Sequence, residues 1–107
     1  MSRTTYKATL PTGETIARST DHKIYSHAWA LIAGGKVIHK GFSRNEGLAH
    51  AAAASEERKF NQSRALWLAG KHFAQSANYP ETDVARFADF YSKPATAHVV
   101  PTFEVAK

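Results

Sequence analysis

The first 42 residues alternate between apolar and polar positions, which is the pattern of half-buried β-strands. Turn residues interrupt the alternation, and Gly34-Gly35 is a strong signal for a two-residue hairpin turn. The pattern therefore predicts a four-stranded antiparallel meander. Its strands cover residues 4–10, 14–20, 24–33 and 36–42, with a turn at 21–23 between the second and third strands.

The apolar period then changes to that of helices. Ser43 and Glu46 fit a capping box, in which each side chain bonds the backbone N–H of the other residue, and an alanine-rich stretch follows. The polar residues at 61–63 favour a break, although one continuous helix through residue 75 is the alternative. Pro80 suits the first position of a last helix, which ends before Pro94.

These elements predict one α+β domain over residues 1–93. It has two layers, with the sheet of residues 4–42 covered on one face by two or three helices from residues 44–92. Residues 94–107 form a tail that alternates loosely and contains Pro101. The tail has three alternatives: an edge strand, a disordered end, or an arm exchanged with a second copy to form a homo-oligomer.

The two-residue turn sets the register of the hairpin and places Trp29 opposite Lys40. One face of the sheet is then small and apolar, and suits the alanine-rich helix. The other face combines aromatic rings with ammonium groups. It fits a partner-protein surface, a platform for single-stranded nucleic acid, or a second core layer with lysine stems at its rim. The candidate partner-binding residues on this face are Tyr25, His27, Trp29, Lys36 and Lys40.

Positive charge is concentrated in the first half of the chain. Residues 1–45 hold seven Lys or Arg and two Asp or Glu, whereas residues 46–107 hold seven of each, and the formal net charge is +5. A basic face of this kind attracts polyanions, such as nucleic acids, or acidic protein surfaces. The alternative is a solvated surface that only promotes solubility.

The composition excludes several classes of protein. The 107 residues include no cysteine, which rules out disulfides, thiolate metal sites and cysteine nucleophiles, and favours a reducing compartment. No apolar run approaches the roughly 20 residues that span a bilayer. The N-terminus lacks the apolar segment of a signal peptide. We therefore expect a cytoplasmic protein without membrane contact.

Six histidines suggest metal or acid–base chemistry, but their positions do not support it. His22 and His27 lack a third ligand at a suitable spacing. The predicted register places His27 and His39 on opposite faces of the sheet, where they cannot act as a pair. The sequence therefore predicts no catalytic residue, no metal ligand and no cofactor; a small hydrolase or nuclease is the remote alternative.

Residues 41–52 resemble the end of a double-stranded RNA-binding domain, where a glycine, a serine and lysines open the last helix. The resemblance implies a phosphate contact by Arg44, to which the sheet adds Lys40. Asn45 and Leu48 replace two lysines of the family, and the family's first helix is missing, which argues against binding of duplex RNA. The matching residues are Gly41, Ser43, Arg44, Ala51 and Ala52.

Residues 20–28 read Thr-Asp-His-Lys-Ile-Tyr-Ser-His-Ala. They resemble the Thr-x-x-Lys/Arg-x-Tyr-Thr/Ser-His-Ala motif of small uncharacterised proteins from bacteriophages of actinobacteria. The resemblance implies a phage-encoded accessory protein and no particular activity. We therefore expect a non-enzymatic protein that binds a host macromolecule. A host protein is the preferred partner and a nucleic acid the first alternative.

Overall fold

The structure, a computed structural model, describes residues 3–21, 24–76 and 78–105. The predicted α+β class with antiparallel sheets is confirmed. His22 and Lys23 of the predicted turn at 21–23 lie outside the described residues. The elements in chain order are β1 (Thr4–Thr9), β2 (Thr15–Thr20), β3 (His27–Ala33), β4 (Lys36–Ser43), α1 (Glu46–Leu68), a 3₁₀ turn (Phe73–Gln75), α2 (Glu81–Phe90), β5 (Ala95–Pro101) and β6 (Phe103–Glu104).

The strands form two three-stranded sheets instead of the predicted four-stranded meander. Sheet A has the order β2-β1-β6 and sheet B the order β4-β3-β5. The two hairpins do not pair with each other, and the chain after α2 supplies the third strand of each sheet. Alternation within a strand cannot show which strands are neighbours, so the sequence pattern missed this division. Residues of the predicted tail thus pair within the chain, and their exchange with a second copy stays a prediction.

Strand β3 is buried on both of its faces, and the molecule has three layers because of it. The side of β3 that carries Ala28 packs against sheet A. The side that carries Leu31 packs against Phe60 of α1. The alanine side was predicted to receive the helix; instead it receives sheet A. The buried cluster between the two sheets contains Ala8, Leu10, Ile16, Ala28, Ala30 and Ile32.

Helix α1 runs without a break from Glu46 to Leu68, so the break favoured at residues 61–63 does not form. Asn45 caps the helix, because its side-chain oxygen accepts a hydrogen bond from the Leu48 N–H at 2.8 Å. Ser43, the predicted cap, is instead the buried last residue of β4.

The β3–β4 hairpin begins as predicted, with Ala33 opposite Lys36 across the glycine turn. A β-bulge follows, in which two residues of β4, Ile38 and His39, lie against the single residue Leu31. Beyond the bulge each residue of β4 points to the face opposite to the predicted one. Trp29 consequently lies opposite Gly41, and the predicted pairing of Trp29 with Lys40 is wrong.

The indole of Trp29 lies directly over Gly41. A Cβ atom at position 41 would come within 2.6 Å of the indole Nε1. We therefore expect Gly41→Ala to lower the free energy of unfolding by about 1–3 kcal/mol, measured by urea denaturation, because the ring has to move.

Gly47→Ala is the matched control, since its Cβ would meet only the Asn45 Oδ1 at 3.4 Å. Alanine in a helix is expected to leave stability unchanged or to raise it by up to about 1 kcal/mol. Equal effects of the two substitutions would contradict the packing of Trp29 on β4.

Candidate functional site

A groove opens where the edge strand β2 of sheet A lies over the edge strand β4 of sheet B. Two adjoining hollows, of about 350 and 410 Å³, make up the groove, and both are lined by Arg18 and Phe42. The first hollow extends to Lys40 and the second to Arg44. We call this the basic groove and define it by Arg18, Tyr25, Lys40, Phe42, Arg44 and Leu48.

A cluster of aromatic rings lies beside Arg18 in the basic groove. It lies opposite Tyr6 in the β1–β2 pair, so it points to the side of sheet A that faces sheet B. Its guanidinium carbon lies 5.5 Å from the centroid of the Tyr25 ring, a cation–π contact. Tyr25 in turn packs edge-on against Tyr6, with ring centroids 5.9 Å apart, and against Phe42 at 5.8 Å. The ring cluster therefore offers the guanidinium a favourable position within the groove.

Lys40 reaches the basic groove because of the bulge. It lies opposite Ala30, which faces sheet A, so the Lys40 side chain points toward the same side. In the register without a bulge, Lys40 would lie opposite Trp29 and face α1. One inserted residue therefore moves this charge from the helical layer to the space between the sheets.

Arg44 stands in the short connection between β4 and α1, directly before the helix cap Asn45. Its carbonyl accepts a hydrogen bond from the Ser26 hydroxyl at 2.9 Å, which fixes the backbone at this point. The unpaired N–H groups in the first turn of α1 give this end of the helix a partial positive charge. Arg44 thus extends the positive potential of the groove beyond the end of β4.

The three cations lack a carboxylate within 4 Å among residues 3–21, 24–76 and 78–105. The ion pairs between described residues involve the carboxylates of Asp21, Glu46 and Glu56 instead. Glu14 is the acidic residue that lines the groove, near its β2 end. Positive charges around one groove repel each other, so an anionic ligand would be favoured there.

The five predicted partner-binding residues do not share one face. Tyr25 lies between the sheets and is only 6% exposed. His27 and Trp29 have the parity of Leu31, whose side of β3 packs against α1. Lys36 lies at the hairpin end, in a hollow shared with α2, and Lys40 lines the basic groove.

The two predicted phosphate-contact residues, Lys40 and Arg44, do lie along one groove. Sequence reasoning missed Arg18, the charged residue that lines both of its hollows. A signal was present, because Arg18 follows Ile16 by two positions in β2 and therefore lies on the same face of the strand. The alternation alone could not show that β2 lies over β4.

His27 and His39 are both on the α1 side of sheet B, so their predicted placement on opposite faces is wrong. The bulge again is the reason. The Nε2 of His27 lies 3.2 Å from the Glu46 carboxylate, and that of His39 lies 3.7 Å from the Glu56 carboxylate. Glu46 and Glu56 are roughly 15 Å apart along the helix axis, so these are two separate pairs. Within the described ranges, no three potential ligands come together that could hold a metal ion.

The outer edge of β5 is occupied by side chains of α1. The Glu57 carboxylate accepts a hydrogen bond from the Ala97 N–H. The Asn61 side chain accepts one from the Ala95 N–H at 3.0 Å and donates one to the Ala95 carbonyl at 3.2 Å. No side chain of the described residues makes such bonds to the backbone of β4 between Lys40 and Ser43. In sheet B the described side chains therefore cover the β5 edge at Ala95 and Ala97, and leave the β4 edge beside the basic groove without such cover.

No family model matches this chain, and no curated protein or solved structure does so either. None of the described helices combines the length and the apolar character needed to cross a bilayer.

The covering of the β5 edge predicts the effect of losing Asn61. We expect Asn61→Ala to lower the free energy of unfolding by about 1–3 kcal/mol, because Ala95 is buried and both of its backbone groups would lose their partners. Asn61→Asp keeps the acceptor but not the donor, so its free energy of unfolding should lie between those of the wild type and Asn61→Ala. Thermal or urea denaturation measures both variants.

Gln62→Ala, at an exposed neighbouring position of the same helix, is the control and should change stability by no more than about 0.5 kcal/mol. A loss at position 61 as small as the one at position 62 would show that the edge contact does not stabilise the fold.

Proposed function

We propose that this protein is a non-enzymatic binding protein whose basic groove takes an acidic, extended segment of a host protein. The observation that carries the proposal is the set of Arg18, Lys40 and Arg44, which line two adjoining hollows and have no carboxylate within 4 Å among the described residues. Carboxylates spaced along a bound segment would neutralise these charges in turn.

The open edge of β4 supports an extended conformation of the bound segment. A segment added beside β4 would gain backbone hydrogen bonds, and alternate side chains would point toward the groove. Acidic residues at every second position would then meet Arg18 and Lys40, which flank the space between the sheets. Backbone bonds would supply affinity, and the cations would select acidic sequences.

Two features favour a protein over a nucleic acid as the partner. Single-stranded nucleic acid binds by stacking its bases on open aromatic rings. In the groove, Tyr25 is almost fully buried and Phe42 is half-buried, so little ring surface is open for stacking. Glu14 would also repel a continuous phosphate backbone, whereas a peptide can place a neutral or basic residue beside it.

The resemblance of residues 20–28 to small phage proteins is the reason for placing the partner in the cytoplasm of a host cell. The resemblance supports a phage-type accessory protein that acts by binding to a component of the host cell. Tyr25 lies within this motif and Arg18 lies two positions before it, so this segment contributes to the groove.

Binding of a labelled peptide of alternating glutamate and valine tests the proposal, with fluorescence anisotropy as the measurement. We expect Lys40→Glu to weaken binding at least about tenfold, because it places a negative charge in the groove. Affinity should also fall as salt is added. Arg58→Glu makes the same change of charge at an exposed position of α1 and should leave the affinity close to that of the wild type.

Three probes separate the outcomes. Alternating lysine and valine should not bind, and the acidic peptide with N-methyl groups on its backbone should bind more weakly if it adds to β4. If single-stranded oligodeoxythymidylate binds more tightly than the acidic peptide, the protein partner is overturned and the partner is a nucleic acid. No binding of the acidic peptide at low salt, or an equal loss in Arg58→Glu, would overturn the proposal.

A further inference from the structure

A second hollow, of about 480 Å³, opens at the β3–β4 turn, beside the last turn of α2 and the connection from α2 to β5. It shares no lining residue with the basic groove. Its volume is within the range of about 300–1,000 Å³ that is typical of small-molecule sites. We call it the turn hollow and define it by Lys36, Ile38, Arg86, Asp89, Phe90 and Lys93.

One wall of the turn hollow is apolar and includes an aromatic ring. Phe90 is 43% exposed. Its ring is backed by those of Phe60 and Tyr91, with centroids 5.0 Å away in each case. Ile38 packs against the same cluster of buried side chains. The wall is thus held by packing and still partly exposed, which suits a flat apolar group.

The remaining lining of the turn hollow is charged. Lys36, Arg86 and Lys93 carry positive charge and Asp89 carries negative charge, so the formal charge is three minus one, or +2. None of these four side chains has an opposite charge within 4 Å among residues 3–21, 24–76 and 78–105. The stem of Lys93 lies along the turn, since a Cβ atom at Gly34 would meet the Lys93 Cδ at 3.4 Å. The turn hollow therefore favours an anion.

A phosphate monoester matches this set of charges better than a single carboxylate does. Its charge of about −2 at pH 7 balances the formal charge of the lining, and its three oxygens accept hydrogen bonds. Arg86 can donate to two of these oxygens at once, and each lysine can donate to one. The Asp89 carboxylate then remains as an acceptor for a hydroxyl group elsewhere on the same molecule.

We propose that the turn hollow binds a small organic phosphate that carries a flat ring, and that this ligand is a nucleotide. The phosphate lies among Lys36, Arg86 and Lys93, and the ring lies against Phe90. A nucleotide combines the required groups, because its base supplies the ring and its sugar hydroxyls supply donors for Asp89. The site is separate from the basic groove, so the proposed peptide binding and nucleotide binding can succeed or fail independently.

Titration of the isotope-labelled full chain with adenosine monophosphate, followed by NMR of the backbone amides, tests the proposal. The signals of residues 33–38 and 86–93 should shift as the nucleotide is added. Lys93→Glu should raise the dissociation constant at least about tenfold, because attraction to the phosphate becomes repulsion. Lys36→Glu, on the opposite side of the turn, is a second variant with the same expected loss.

Lys71→Glu is the matched control for these two variants. It makes the same change of charge at an exposed position that lines neither the turn hollow nor the basic groove. Its affinity for adenosine monophosphate should stay close to that of the wild type. The dispersion of the amide signals shows whether each variant is folded.

Incomplete ligands test the parts of the site. Inorganic phosphate lacks the ring and adenosine lacks the phosphate, so each should bind at least about tenfold more weakly than adenosine monophosphate. Naphthyl phosphate keeps a ring and the phosphate but has no sugar hydroxyls, and should also bind more weakly. Equal or tighter binding of naphthyl phosphate would overturn the nucleotide as ligand and assign the turn hollow to aryl phosphates.

Three results would overturn the site itself. The first is the absence of any shift at millimolar nucleotide and low salt, and the second is an equal loss of affinity in Lys71→Glu. The third is a set of shifts confined to residues 14–18 and 40–48, which would place the phosphate in the basic groove. The acidic peptide used above reports on that groove separately, so a failure of either proposal is distinguishable from a failure of the other.

Discussion

Burial of β3 on both faces is the constraint on which the rest of the structure depends. Ala28 and Ala30 are fully buried against sheet A, where small side chains let the two sheets approach closely, and Leu31 is fully buried beneath α1. With both broad faces of sheet B covered, a flat exposed platform is not available on this sheet. What is left for recognition is the outer face of sheet A, the edges of the sheets and the surface of the helices.

The β-bulge at Leu31 decides which side chains of β4 face α1 and which face sheet A. It leaves Ile38 in the cluster with Leu31 and places His39 near α1, while Val37 and Phe42 pack toward sheet A. Lys40 follows the same parity as Phe42 and so enters the space between the sheets. The groove formed with Arg18 and Arg44 is thus a consequence of one extra residue in one strand, because that residue reverses the faces of everything beyond it.

The two outer edges of sheet B differ in how far side chains cover them, and the two helices differ in how far they are buried. Glu57 and Asn61 occupy the outer edge of β5, whereas β4 beside the basic groove has no such cover from the described residues. Helix α1 is packed along one face, whereas no residue of α2 is fully buried. Covered edges prevent unwanted strand pairing, so an edge left open beside unpaired cations is a specific feature.

The sequence by itself determined the α+β class, the strands at either side of the glycine turn and the concentration of positive charge from which Arg18, Lys40 and Arg44 come. These features follow from local alternation, turn chemistry and composition. Only the tertiary structure decided the bulge, the division into two sheets, the unbroken course of α1 through Asn61 and the face on which each charge lies. Each of these depends on contacts between residues far apart in the chain, such as Asn61 with Ala95, and no local pattern encodes such a contact.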